Sequence, residues 1–221
     1  MMNKALSLLL AGLVSAAGLA SAAHAQDAAA GQKKAAMCIG CHNIPGYQAS
    51  FPIVHKVPKI SGQGSKYIIA ALTAYKKGDR KHPTMRAIAT SLSEQDMADL
   101  AAFYETDGAS SIKTVAADAA APAAPPEVAA LLAKGACASC HGANFNKPID
   151  AGYPKLAGQH ADYLYLSLKA YGTEGNPQIG RANAIMSAQV KQFKNSELKA
   201  IADYLGSIPG DVRTVAESRF R

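Results

Sequence analysis

The chain is written twice, and that duplication constrains its fold more than any other feature. Cys38-Ile39-Gly40-Cys41-His42 recurs as Cys137-Ala138-Ser139-Cys140-His141, 99 positions on. Pro58-Lys59-Ile60-Ser61-Gly62-Gln63 recurs as Pro154-Lys155-Leu156-Ala157-Gly158-Gln159 at an offset of 96, and Tyr67, Leu72, Ala74 and Tyr75 match Tyr163, Leu168, Ala170 and Tyr171 in that register. Met85 matches Met186 at offset 101, and Leu92–Tyr104 matches Phe193–Leu205 at the same offset. Landmarks in one order, with offsets that drift only through loop lengths, specify two copies of one domain. Between them runs Val115 to Pro126, rich in Ala and Pro, which reads as an extended, semi-rigid linker burying little. The division is residues 26–112, a linker over 113–126, and residues 127–221. Each copy is about 80–90 residues, small enough to need a bound group for stability.

Local signals in both copies are helical. Ser93 with Asp96 three residues on makes a capping box, and Met97, Leu100, Ala101 and Tyr104 then fall on one helical face. The second copy repeats this with Asn195 as cap and Leu198, Ile201, Ala202 and Leu205 as the stripe. Middle helices are predicted over Ser65–Lys77 and Ala161–Tyr171, and short first helices lead from Ala28 and Val128 into the cysteine pairs. No segment sustains period-2 alternation, so no strands are predicted and the fold class is all-α.

The first segment is a targeting signal. Lys4 gives a basic start, residues 5–23 carry no charge, and Ala23-His24-Ala25 offers a signal-peptidase site, so residues 1–25 are expected to be removed. No later stretch is long and apolar enough to span a bilayer. The expected product is an exported, periplasmic chain.

Cys-x-x-Cys-His has a mechanical basis: two thiols add to the two vinyl groups of one haem, and the next residue brings an imidazole to the iron. A Cys₄ zinc site would leave both histidines unexplained. A thioredoxin-like redox pair wants a βαβ setting. Disulfides across two residues would close very small loops and stabilise little. Two motifs that use all four cysteines, behind an export signal, point to two haem c groups attached at Cys38 and Cys41 and at Cys137 and Cys140, with His42 and His141 as iron ligands. For the other axial position, Met1 and Met2 leave with the signal, Met37 adjoins Cys38, and Met97 lies on the core stripe. Met85 and Met186 remain, with His82 the rival in the first copy. His/Met ligation closes the iron and raises its potential, which suits electron transfer rather than oxygen or peroxide chemistry. His55 and His160 lack counterparts and read as surface or loop residues.

These motifs resemble the class I cytochromes c. Two such domains in tandem after a signal peptide resemble the dihaem cytochrome c4 family across essentially the whole mature chain. The resemblance implies that the carbonyls of Pro58 and Pro154 hold His42 and His141 through their other ring nitrogens. It also implies that Ile60 and Leu156 pack on the haems, and that Gly62 and Gly158 allow close approach. The function implied is a soluble periplasmic electron carrier, not an enzyme, passing single electrons between respiratory-chain donors and a terminal oxidase or reductase. The alternative is the dihaem subunit of a periplasmic dehydrogenase complex. The chain departs from the family pattern in a long apolar loop, Asn43 to Val57, and in an insertion, Gly172–Arg181.

Composition limits the partners. The net charge of +7 is too mild to imply nucleic acid, while 49% hydrophobic and 18% charged residues exclude general disorder. The first copy concentrates basic residues around Met85, namely Lys76, Lys77, Arg80, Lys81 and Arg86, which reads as a patch for a membrane-bound or soluble redox protein with an acidic docking surface.

Overall fold

A computed structural model describes residues 25–109, 115–116 and 119–216. The expected signal peptide, apart from Ala25, lies outside the described residues. The first domain comprises α1 (Ala28–Lys34), α2 (Ala36–His42), α3 (Ser65–Lys77), α4 (Pro83–Thr90) and α5 (Glu94–Thr106). The second comprises α6 (Pro126–Lys134), α7 (Ala138–His141), α8 (Ala161–Tyr171), α9 (Ala184–Val190) and α10 (Asn195–Ser207).

Local chemistry sets the helix ends. Asp27 caps α1 by accepting from the amides of Ala29 and Ala30. Gly78, left-handed at φ 87°, closes α3. The capping box of Ser93 and Asp96 opens α5. In α10 the expected cap, Asn195, is instead the first helical residue, and the preceding Lys194 amide donates to Glu197 Oε2 at 2.6 Å. Both predicted stripes are buried, with Met97, Leu100, Ala101 and Tyr104 in one core and Leu198, Ile201, Ala202 and Leu205 in the other. Each buried leucine contributes roughly 2 kcal/mol. α1 meets α5 at Gly31, where a Cβ would stand 2.0 Å from the Asp99 carbonyl oxygen, so only glycine lets the backbones approach this closely.

The prediction of no strands is corrected. β1 (Gln48–Ala49) pairs antiparallel with β2 (His55–Lys56), and β3 (Arg80–Lys81) pairs with β4 (Gly180–Arg181). Two-residue ladders carry no alternation that a sequence could display. The second ladder joins the two domains.

The Pro-Lys-x-x-Gly-Gln segments form the rest of the seam between the domains. Gln159 Oε1 accepts from the Lys59 amide at 2.9 Å, and its Nε2 donates to the Lys59 carbonyl at 2.8 Å. Gln63 repeats this on Lys155 at 2.9 and 3.0 Å. Lys59 Nζ donates to Gly158 O and Lys155 Nζ to Gly62 O, at 2.6 and 2.8 Å. Beyond α10 the chain returns to the first domain, where the Arg213 amide donates to Ser61 O at 2.9 Å and Arg213 Nε to Asp107 O at 3.0 Å. The tight approach at Gly62, left-handed at φ +82°, is to this returning strand: a Cβ there would meet Asp211 O at 2.4 Å. The described part of the linker is docked rather than free, for Ala121 and Ala124 pack on the second core and Tyr204 OH donates to Pro122 O at 2.7 Å.

Both departures from the family pattern reach across the seam. The first loop places the Lys56 amide on Asp162 Oδ2 at 2.8 Å, and the insertion supplies β4.

Candidate functional site

The Cys-x-x-Cys-His segments ride on α2 and on the turn entering α7, so each thiol pair lies about one helical turn apart with the histidine next in line. No disulfide joins any of the four cysteines. His42 Nδ1–H donates to the Pro58 carbonyl at 2.8 Å, and His141 Nδ1–H to the Pro154 carbonyl at 3.2 Å. Burial pushes both imidazoles down from their ordinary pKa, against the pull of the proline carbonyls. A neutral ring with its proton held on Nδ1 presents a free lone pair at Nε2, as a metal ligand must.

Met85 and Met186 occupy the third residue of α4 and α9, short helices that the sequence left as segments ahead of the last helix. Each is set by a cap three residues earlier: the Met186 amide donates to Asn183 Oδ1 at 2.9 Å, and the Met85 amide to His82 Nδ1 at 3.4 Å. His82 thus does in the first copy what Asn183 does in the second. Burial, with His55 and Arg80 nearby, pushes the His82 pKa down to about 4. Met97 is 2% exposed, inside the core as its stripe predicts.

One continuous cavity of about 610 Å³ is lined by all four cysteines, by His42, Met85, His141 and Met186, and by Pro58 and Pro154. Ile60 and Leu156 also line it.

The seam wall of this cavity holds residues that the sequence misplaces. Arg80 is not part of a surface patch: it is 8% exposed, with Nη2 donating to Tyr163 OH at 2.5 Å, Nη1 to Tyr67 OH at 3.4 Å, and the guanidinium over the Tyr75 ring at 4.4 Å. Arg181 Nη2 donates to the same Tyr163 OH at 3.1 Å and to Ser167 Oγ at 2.7 Å. His55, expected at the surface, is buried on β2 and stacks on Tyr163 at 6.2 Å between centroids. A signal for the arginines existed: Arg80 and Arg181 match at offset 101, the offset of Met85 and Met186.

The residues present fit two haem c groups. Each half of the cavity offers two thiols, an imidazole with Nε2 free and a thioether, and the buried Arg80 Nε has no hydrogen-bond partner.

The Cytochrome c family model matches residues 28–106 and 127–209. A cytochrome c4 from Azotobacter vinelandii is 35% identical over 230 residues, covering 92% of this chain and 98% of its own. A protein from Stutzerimonas stutzeri named thiosulfate dehydrogenase electron acceptor is 31% identical over 80% of this chain and 82% of its own. The crystal structure of reduced recombinant cytochrome c4 from Pseudomonas stutzeri superposes with a TM-score of 0.60 at 29% identity, over 84% of this chain and 100% of that one. With two cytochrome c domains, two covalently bound haem c groups and the role of an electron carrier, the chain belongs to the dihaem cytochrome c4 family.

Proposed function

We propose that the chain is a periplasmic carrier, freed of residues 1–25, that moves single electrons between respiratory-chain donors and a terminal oxidase or reductase. Cys38 and Cys41 would hold the first haem and Cys137 and Cys140 the second. His42 with Met85, and His141 with Met186, would supply the axial ligands, the histidines oriented by Pro58 and Pro154. The observation carrying this reading is the repeated geometry: a histidine pinned at Nδ1 by a proline carbonyl, facing a cavity that also receives a capped methionine. The bound haem supplies a site for one electron at a time. A thioether and a fixed imidazole from the chain would close the iron, a ligand set that raises the potential and leaves no position for substrate.

Replacing the thioethers tests the ligand assignment. Met85→His and Met186→His are each expected to lower the potential of one haem while both stay attached, because imidazole favours the ferric state more than thioether does. A substitution that leaves both potentials unchanged removes that methionine from the ligand set. Mass spectrometry of the exported protein is expected to show a start at Gln26 and two haems.

The relative named thiosulfate dehydrogenase electron acceptor supports a second reading, a dihaem subunit serving a periplasmic dehydrogenase. Co-purification separates the two, since a free carrier elutes alone and a subunit with a flavin- or metal-containing partner. In either case the exposed Lys77 and Lys81, ahead of α4, and Arg86 on it offer an acidic partner a basic approach to the first haem.

A further inference from the structure

We propose that the loop Asn43–Val57 is an apolar strap that keeps water from the first haem and so raises its potential, and that Asp162 of the second domain holds this strap closed. The inference rests on the two-haem reading and adds to it the element that sets the first haem's exposure to solvent.

The two copies differ in the segment between the histidine and its proline. In the second copy, Gly142–Tyr153 folds back on its own domain. Asn144 Oδ1 accepts from the amides of Asn146 and Lys147, both at 3.0 Å, and Phe145 is sunk in the second core. Among the described residues of that segment, only Gly152 and Tyr153 line the cavity. The first copy instead lays the unbroken run Tyr47–Ile53 along the cavity wall, followed by His55 and Val57. From Asn43 to Val54 no residue carries a charge.

The strap crosses the edge of the first pocket. Its base is closed by the bond from His42 Nδ1–H to the Pro58 carbonyl, and by the Val57 amide on Tyr47 O at 2.9 Å. The β1–β2 ladder stiffens it. His55 then stands beside His82, with ring centroids 6.0 Å apart, and His82 caps the helix that carries Met85. One segment thus runs from the imidazole side of the pocket to the thioether side. A ferric haem carries one more positive charge than a ferrous one, and a dry apolar wall disfavours that charge. The haem behind the strap therefore gains potential from it.

Closure comes from the other domain. Asp162, in the first turn of α8, accepts from the Lys56 amide through Oδ2 and from the Tyr163 amide through Oδ1, each at 2.8 Å. Next to it the buried His55 ring stacks on Tyr163. Asp162 is a positioning residue: it fixes β2, and through β2 the apolar run that faces the cavity. The first haem's potential then depends on a carboxylate that its own domain does not contain.

The test uses the purified holoprotein, with both potentials followed by reductive titration and optical spectroscopy. The first haem's potential is identified as the one that Met85→His lowers. Asp162→Ala is expected to lower it too, the ferrous-to-ferric ratio at fixed potential falling about tenfold, ~59 mV, while the second haem's potential stays in place. The sign is diagnostic, because loss of a negative charge by itself would raise a potential. Ile53→Thr, which makes the strap wettable, should lower the same ratio about threefold. Ile53→Val, close to threonine in shape, should leave it unchanged. Where Asp162→Ala does not accumulate, Asp162→Glu keeps the charge and displaces the carboxylate, and a fall at the first haem is again expected. A first potential that stays or rises in the Asp162 variant overturns the latch. A wild-type potential in Ile53→Thr overturns the strap, and equal falls at both haems overturn its assignment to the first pocket. A wild-type protein carrying fewer than two haems instead overturns the underlying two-haem reading.

Discussion

Asp99 ties the start of α1 to the last helix of the first domain. Its carboxylate is buried and accepts from the Asp27 amide at 3.1 Å, Lys34 Nζ at 2.8 Å and Gln95 Nε2 at 2.7 Å. The Lys34 ammonium holds the carboxyl below its ordinary value of 3.8, against the opposing effect of burial. A carboxylate depressed in the folded state gives stability that is fully present above its unfolded pKa and is lost as pH falls through the lower, folded one. Acid should therefore loosen the α1–α5 contact first below that ordinary value. Asp99→Asn leaves donors facing an amide and is expected to cost about 2 kcal/mol at neutral pH. It should also flatten the acid limb of the stability curve. Urea melts at neutral and acid pH check both effects; an acid limb parallel to wild type would show that another carboxylate governs it.

At the scale of elements, α4 and α9 show how one function is written with two residue types. His82 and Asn183 each cap the helix that carries a methionine, so His82→Asn should leave α4 formed and both potentials in place. Loss of a haem ligand in that variant would return His82 to the iron. The long elements were legible in the sequence because burial imposes a period: Met97, Leu100, Ala101 and Tyr104 can face one core only if α5 is a helix. The cysteines and histidines were legible because Cys-x-x-Cys-His fixes their spacing, whereas the part played by Pro58 and Pro154 came from the family resemblance alone, and their carbonyls do meet the two imidazoles. The seam was not. A ladder of two residues has no period, and Arg80 within a run of Lys76, Lys77 and Lys81 looks like solvated charge until Tyr67, Tyr75 and Tyr163 enclose it. That enclosure depends on the other domain, which local patterning does not register.

For the whole molecule, the seam changes what the linker does. The reciprocal glutamine and lysine bonds contribute about 1 kcal/mol each, and the β3–β4 ladder and the returning strand add to them. Cleavage between Ala116 and Pro126 is accordingly expected to leave two haem-bearing fragments that co-elute in size-exclusion chromatography. Elution as separate domains would show that the covalent tether, not the seam, holds the halves together. The returning strand also bears on the order of events as the chain is made. Ser61 waits for Arg213, which is synthesised 152 residues later. Tyr163 and Arg181, which wall the cavity from the second domain, arrive sooner but still long after Met85. A first pocket emerging ahead of its twin therefore turns its inner wall to solvent until the second copy has followed it out.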